Sequence, residues 1–357
     1  MAVTLHLQTF NSAHTNRLIL FFIVTYALSI YTHQHWLKNE ALLEMEAIIK
    51  TILVTGGDGQ LGLSLKNISS QYSQYQFTFT NRNDLDLSRP NDITAYFQQH
   101  QFDLIINCAA YTAVDKAEEE QELAYSINYL AVKKLAEIAL LHKSLLIHIS
   151  TDYVYDGTQY QPYVESQATN PQNIYGTSKL KGENAIQSIA PNAIIIRTSW
   201  LYSEFGNNFV KTMLKLGKER DQLGVIFDQI GSPTYAEDLA HGTLKLFAKI
   251  HDRNMAVPCK SNEVPVYHYS NEGVCSWYDF AKAIFELTNV DCRVEPIETR
   301  DYPTPAKRPN YSVLNKTKIK QDFDLSIPYW KDSLHLCINR LQKTTYYPEG
   351  AKSTVEN

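Results

Sequence analysis

From Ile48 onward the chain switches between two hydrophobic periods. "IIKTILVTG" (48–56) is a short apolar run ending in glycine, the pattern of a strand covered on both faces. Runs of the same kind recur at 75–80 ("YQFTFT"), 102–110 ("FDLIINCAA"), 144–151 ("SLLIHIST") and 192–200 ("NAIIIRTSW"). Helical spacing fills the intervals: after Gln60, over 90–100 with Pro90 near the start, over 120–143, and through the segment carrying Tyr175 and Lys179. Strand and helix in alternation predict an α/β fold, a Rossmann-type doubly wound parallel sheet with helices on both faces. Ligands of such sheets lie at the carboxyl ends of the strands. Beyond about residue 220 the pattern loosens to a turn and helix over 231–250, a helix over 276–288 and a proline-rich irregular stretch over 298–310.

The first strand runs straight into "TGGDGQLG" (55–62), which spaces Gly56, Gly59 and Gly62 as G-x-x-G-x-x-G. Gly56 suits the tight turn, Gly59 lets backbone approach a pyrophosphate, and Gly62 lets the helix pack on the sheet. The helix start then offers free N–H groups to an anion. The pattern alone is weak; a strand before and a helix after strengthen it, and a plain strand-to-helix turn is the alternative. An acid at the end of the second strand would select NAD(H), an arginine NADP(H). Here Asn81 and Arg82 come first and Asp84 and Asp86 later. This points to NADP(H) with NAD(H) left open, against Arg82 as a solvated loop residue.

The topology brings three segments to one sheet edge. Thr151 ends the fourth strand, and Tyr175 and Lys179 share a face of the next helix. An ammonium beside a phenol favours phenolate, so the expectation is a lowered Tyr175 pKa. Tyr175 would trade a proton with a carbonyl oxygen, Thr151 would hold that oxygen, and Lys179 would also bond the nicotinamide ribose. With 23 tyrosines in the chain, a Tyr four before a Lys also arises by chance.

Composition narrows the field. The 357 residues allow two or three domain-sized units, and a formal charge of -5 offers no footprint for nucleic acid or an anionic membrane. Five scattered cysteines without C-x-x-C argue against a disulfide framework or zinc and for a reducing compartment. Leu18–Ile30 is an apolar run, shorter than the roughly 20 residues a spanning helix needs. Three readings of it stay open: a signal or membrane anchor, a folded segment, or a coding start placed before the true one at Met45.

The blocks "NCAAYTAVDKAE" (107–118), "STDYVYDG" (150–157), "NPQNIYGTSKLKGE" (170–183), "RTSWLYS" (197–203), "GNNFVKTML" (206–214), "DQIGSPTYAEDLA" (228–240), "SWYDFAKAIF" (276–285) and "TPAKRP" (304–309) occur in order. Together they resemble the extended short-chain dehydrogenase/reductases and, within them, the dTDP-4-dehydrorhamnose reductase family, from about Met45 to Leu341. The resemblance implies a cytoplasmic enzyme, with no membrane role, that uses NADPH to reduce a dTDP-linked 4-keto-6-deoxy sugar to dTDP-L-rhamnose, a precursor of cell-surface polysaccharide. It implies Thr151, Tyr175 and Lys179 as the catalytic set, and Gly59, Gln60 and Leu61 along the cofactor phosphates. Asp86 and Leu87 would lie near the adenine, and Ala109, Ala110 and Tyr111 beside the cofactor. Asp152 and Trp200 would contact the sugar, with Arg308 on the diphosphate. Against these stand Trp200 as core, Lys307 in place of Arg308, and Asp115 and Glu118 as first-turn dipole partners. Some relatives use magnesium at a subunit contact; no convincing carboxylate cluster marks such a site here, so no metal ligand is assigned. A homodimer is an open expectation. The implied organisation is 46–222 with 235–255 for the dinucleotide, 223–234 with 256–342 as a smaller, discontinuous α/β substrate-binding domain, 1–45 as an extension outside the fold, and 343–357 as a polar tail. A nucleotide-sugar epimerase of the same superfamily and a non-catalytic regulatory subunit of a methyltransferase-cofactor synthase are the rival functions.

Overall fold

The computed structural model describes residues 50–189, 192–252 and 263–346. The chain separates into two units, Met1–Ile49 and Lys50–Asn357, and every described element belongs to the second. The apolar run at 18–30 and the residues from 347 on lie outside the described residues.

Five of the expected strands are β1 (Lys50–Thr55), β2 (Tyr75–Thr80), β3 (Leu104–Asn107), β4 (Leu145–Thr151) and β5 (Ala193–Thr198). With Val266–His268 they form one parallel sheet in the order β2-β1-β3-β4-β5 and then Val266–His268. The strands are apolar throughout because both faces are covered. Ile52, Val54, Ile106, Ile147 and Ile196 face one core with Leu65, Leu239 and Phe247. Their neighbours Leu53, Ile105, Leu146 and Ile195 face the other, with Ile93, Leu135 and Ile186. Each such side chain contributes roughly 1.5–3 kcal/mol by leaving water.

The chain leaves β1 for β2 on one side and returns to β3 on the other. The carboxyl ends of β1 and β3 therefore flank a crevice, the expected ligand position. Gly56 sits there at φ +67°, and a Cβ on it would stand 2.8 Å from the Ala109 backbone. On Gly62 a Cβ would meet the Gly56 carbonyl at 2.3 Å, so the following helix, Gln60–Ile68, can press onto the turn.

A separate core gathers Tyr202, Val210, Met213, Leu223, Phe280, Ile284, Val294 and Trp330. Around it the strands Gln222–Ile226 and Arg293–Ile297 pair in parallel, and the helix Trp277–Thr288 starts at a capping box made by Ser276 and Asp279. Three details depart from the sequence-based organisation. Val266–His268, expected in the smaller domain, hydrogen-bonds to β5 and extends the large sheet. The helix Phe209–Glu219, expected in the larger one, gives Val210 and Met213 to the smaller core. Residues 343–346, expected in a polar tail, complete the helix Trp330–Tyr346.

Candidate active site

β4 ends on Thr151 because the chain turns there. The Thr151 hydroxyl accepts the Tyr153 N–H at 3.3 Å and caps a single tight turn, Asp152–Val154. It also donates to Asp152 Oδ1 at 3.0 Å. The helix Ile174–Ile189 is launched beside this turn. Asn173 caps it by accepting the Gly176 N–H at 2.8 Å, and Glu118 accepts the Ile174 N–H at 2.9 Å. The side chain of Asn173 donates to the Lys307 carbonyl at 2.8 Å, tying the 304–309 stretch to the start of this helix.

Tyr175 retains 9% exposure and meets Tyr153 edge-on, with ring centroids 5.5 Å apart. Burial pushes its phenol up to about 12, while a hydrogen bond with Thr151 pulls the other way. This corrects the expected lowering by Lys179. The reason is where the amine points: Lys179 Nζ donates to the Ile149 carbonyl at 2.7 Å and lies 3.3 Å from His148 Nε2, both on β4. The lysine is itself the shifted partner, since burial brings it down to about 8 against the charge of Glu183. Its charge also reaches Cys108, whose backbone a Gly56 Cβ would meet at 3.1 Å. The Lys179 amine is thus buried against β4, within electrostatic reach of the β3 end that packs on Gly56.

Around this centre the expected residues fall into groups. Ala109 packs against Gly56, and its N–H reaches Thr55 Oγ1 at 3.4 Å. Ala110 follows, half-buried. The N–H groups of Gln60, Leu61 and Gly62 begin a helix and have no acceptor within it. Leu61 and Leu87 turn their side chains into the cores, so neither presents a side chain to the crevice. Gln60 turns toward the smaller lobe and accepts from Ser203 and Asn208 at 3.0 and 2.9 Å. Past β2, exposed Arg82 lies 3.5 Å from Asp86, whose carboxylate is held low first by the Ser88 hydroxyl.

Asp152 is 2% exposed, and burial pushes its carboxyl up to about 7 against hydrogen bonds with Thr151 and Ser312. Trp200, just past β5, adopts φ +49° and stacks on Trp277 with centroids 3.5 Å apart. A non-glycine residue in this region stores strain, a recurrent property of ligand sites. Arg308 does not present a free fork: both arms grip Asp115, at 3.0 and 2.6 Å. Lys307 reaches Gln172 at 3.4 Å.

Polar residues that the sequence pattern did not single out complete the centre. Asn128 sits in a π-turn, Ser126–Leu130, inside a long helix and is fully buried. It accepts the Tyr111 N–H at 2.9 Å and donates to the Tyr111 carbonyl and to Ser178, both at 3.0 Å. The Tyr111 hydroxyl is held outward by Glu120 at 2.7 Å. Glu183, one turn beyond Lys179, takes the Arg197 guanidinium at 2.6 Å and the Ser150 hydroxyl. Among the described residues no group of three or more His, Cys, Asp or Glu is placed to hold a metal ion.

The sheet order, the glycine turn at its reversal and the Thr–Tyr–Lys edge together define a doubly wound, dinucleotide-dependent oxidoreductase. The family profile described as the RmlD substrate binding domain matches residues 50–343. The dTDP-4-dehydrorhamnose reductase of Aggregatibacter actinomycetemcomitans is 42% identical over 290 residues, covering 79% of this chain and 96% of the relative. That of Escherichia coli K12 is 39% identical, covering 82% and 99%. A crystal structure of the Bacillus anthracis dTDP-4-dehydrorhamnose reductase with NADP superposes with a TM-score of 0.75 at 38% identity, covering 82% of this chain and 99% of that one. The chain belongs to the dTDP-4-dehydrorhamnose reductase family.

Proposed function

We propose that this protein uses NADPH to reduce the 4-keto group of dTDP-4-dehydro-6-deoxy-L-mannose, yielding dTDP-L-rhamnose. One observation carries the reading: Thr151 and Tyr175 meet at the end of β4, while the Lys179 charge acts on Cys108, whose backbone packs against Gly56. NADPH, when bound, supplies the hydride. The helix start at Gln60–Gly62 would hold its diphosphate, Lys179 its nicotinamide ribose, and Arg82 the 2'-phosphate. Thr151 would turn its one hydroxyl proton from Asp152 to the sugar O4, and Tyr175 passes its proton to that oxygen as charge develops there. A phenol near 12 is protonated at neutral pH, which suits an acid working in the reducing direction. Asp152 is a buried carboxyl group held by Thr151 and Ser312, to which a sugar hydroxyl adds a further donor. Trp200 offers the sugar an aromatic wall. Arg308 orders the 304–309 stretch through Asp115 and turns to the diphosphate when Asp115 is displaced.

In this reading the large sheet carries the dinucleotide and the smaller lobe the sugar nucleotide. The protein works in the cytoplasm, as a homodimer that sedimentation would reveal. No described helix is long and apolar enough to cross a membrane. The test supplies keto sugar made in situ and follows reduced-cofactor absorbance. Wild type consumes NADPH stoichiometrically, and Tyr175→Phe is slower by roughly 10²–10⁴ while still binding cofactor. Equal rates for the two proteins would refute the assignment. Turnover without net consumption would indicate an epimerase, and cofactor binding without turnover a regulatory subunit.

A further inference from the structure

We propose that His148 is a positioning residue for Lys179: its ring is the acceptor that aims the charged amine, and its tautomer follows the amine's charge. An unbroken buried chain of polar groups leads to that amine. Thr55 Oγ1 lies 2.7 Å from the oxygen position of Asn107, Asn107 Nδ2 3.0 Å from His148 Nδ1, and His148 Nε2 3.3 Å from Lys179 Nζ. Thr55, Asn107, His148 and Lys179 are each 0–1% exposed, so no solvent is at hand to replace a lost partner. Asn107 and His148 are register partners on β3 and β4, which fixes their separation through the sheet itself.

Burial and the Lys179 charge hold His148 far below the usual histidine range, so its ring stays neutral. A neutral imidazole has one N–H and one lone pair to divide between two neighbours. When Lys179 is charged it has nothing to accept with, so Nε2 must be the lone pair. The proton then sits on Nδ1 and is donated to the Asn107 oxygen, with the Asn107 amide turned so that its NH₂ faces Thr55. When Lys179 is neutral the opposite set is self-consistent: Nε2–H donates to the amine, Asn107 donates to Nδ1, and Thr55 donates to Asn107. Amide orientation and imidazole tautomer are interchangeable at fixed heavy-atom positions, and in the charged-lysine set Thr55 Oγ1 accepts from both the Asn107 amide and the Ala109 N–H.

The other groups facing Lys179 do not switch in this way. The Ile149 carbonyl accepts at 2.7 Å in either state. Glu183, one turn further along the helix, favours the charged amine and is itself fixed by Arg197 and Ser150. The Cys108 thiol, next to β3, is kept protonated by burial. Tyr175, one turn back, is protonated as well. With Ile149 and His148 taking two of the three ammonium protons, the third is left for a hydroxyl bound above it. That use of the third proton rests on the reductase reading; the tautomer itself does not.

Two measurements test the inference. In protein labelled with ¹⁵N-histidine, the His148 ring signal is assigned by its loss in His148→Gln. Nδ1–H is expected at about pH 6, changing to Nε2–H by about pH 10 as the amine loses its proton. An Nε2–H ring at the low end, or no change across the range, overturns the proposal. In turnover assays His148→Phe keeps the ring shape without an acceptor; kcat falls on the order of tenfold, as for one charge-assisted hydrogen bond, and its alkaline limb moves to lower pH. His148→Gln, which keeps an acceptor, recovers kcat to within about threefold. If packing were the role, Phe would be the milder change, and that ranking would refute the positioning role. Melting temperatures of both variants check folding. If wild type reduces no sugar, the proposed function fails while the ¹⁵N result still decides the tautomer.

Discussion

Replacing Glu183 by Gln removes one charge from a buried pair and leaves the other stranded. The side chains of Glu183 and Arg197 are 3% and 6% exposed. Arg197 Nε and Nη2 approach Glu183 at 3.0 and 2.6 Å, and Nη1 donates to the Tyr155 hydroxyl at 2.6 Å. Burial opposes the guanidinium charge, and Glu183 more than offsets that, leaving Arg197 above the ordinary arginine range. Breaking such a pair from one side costs roughly 3–5 kcal/mol, because the remaining charge keeps its desolvation penalty. Urea unfolding reads this directly, and for a chain of this size the loss corresponds to a Tm lower by roughly 5–8 °C. The control is Glu183→Leu with Arg197→Met, which removes both charges and is expected to be close to wild type in stability. The same substitution acts on Lys179, which burial lowers and Glu183 raises. Without Glu183 the amine falls below its present value near 8, so the alkaline limb of kcat moves to lower pH. A stability loss under about 1 kcal/mol in Glu183→Gln, or an alkaline limb that stays in place, would refute this account of the pair.

Two further expectations concern the same edge. The Asp152 carboxyl is raised to about 7 by burial, so the folded protein holds a proton there that the unfolded chain has released by about pH 5. Its contribution to stability is therefore lost as pH rises from about 4 to 7, and Asp152→Asn gains on wild type over that window, by on the order of 3 kcal/mol in denaturant titrations at about pH 8. Equal pH profiles for the two proteins would contradict the shift. Gly56→Ala places a side chain at φ +67° and 2.8 Å from the Ala109 backbone. It is expected to cost about 1–2 kcal/mol from backbone conformation alone and to raise the Kd for NADPH; an unchanged calorimetric Kd would separate the turn from the binding site.

What could be read from the sequence depended on the range of the interactions. β2 was legible to the residue, 75–80, and the Tyr175 helix in outline, because strands covered on both faces give continuous apolar runs and helices give their own period. The meeting of Thr151 with Tyr175, on the helix that also carries Lys179, was legible because these residues occupy consecutive elements at one sheet edge. The smaller lobe was obscure for the opposite reason. Gln222–Ile226 finds its partner at Arg293–Ile297, and Val266–His268 reaches across to β5, so no local pattern announces either. Asn107 and His148 meet across 41 residues as register partners, and Asn128 is aimed by a π-turn that a 3.6-residue template does not contain. The direction of the Tyr175 shift was misjudged because spacing along a helix says nothing about acceptors on a neighbouring strand. The Ile149 carbonyl and His148 claim the amine before the phenol does.

The π-turn at Ser126–Leu130 amounts to a helix that carries one residue more than its winding can absorb. Excising any one of those five would restore regular winding and leave the flanking turns nearly in phase, but the widened turn that aims Asn128 would be gone. Asn128 would then swing off either Tyr111 or Ser178, uncoupling the loop after β3 from the helix that carries Tyr175. A surplus that looks like a flaw in the coil is thus what lets one side chain hold two walls of the crevice, and a shortened version of this helix would fold more evenly while holding its site less well.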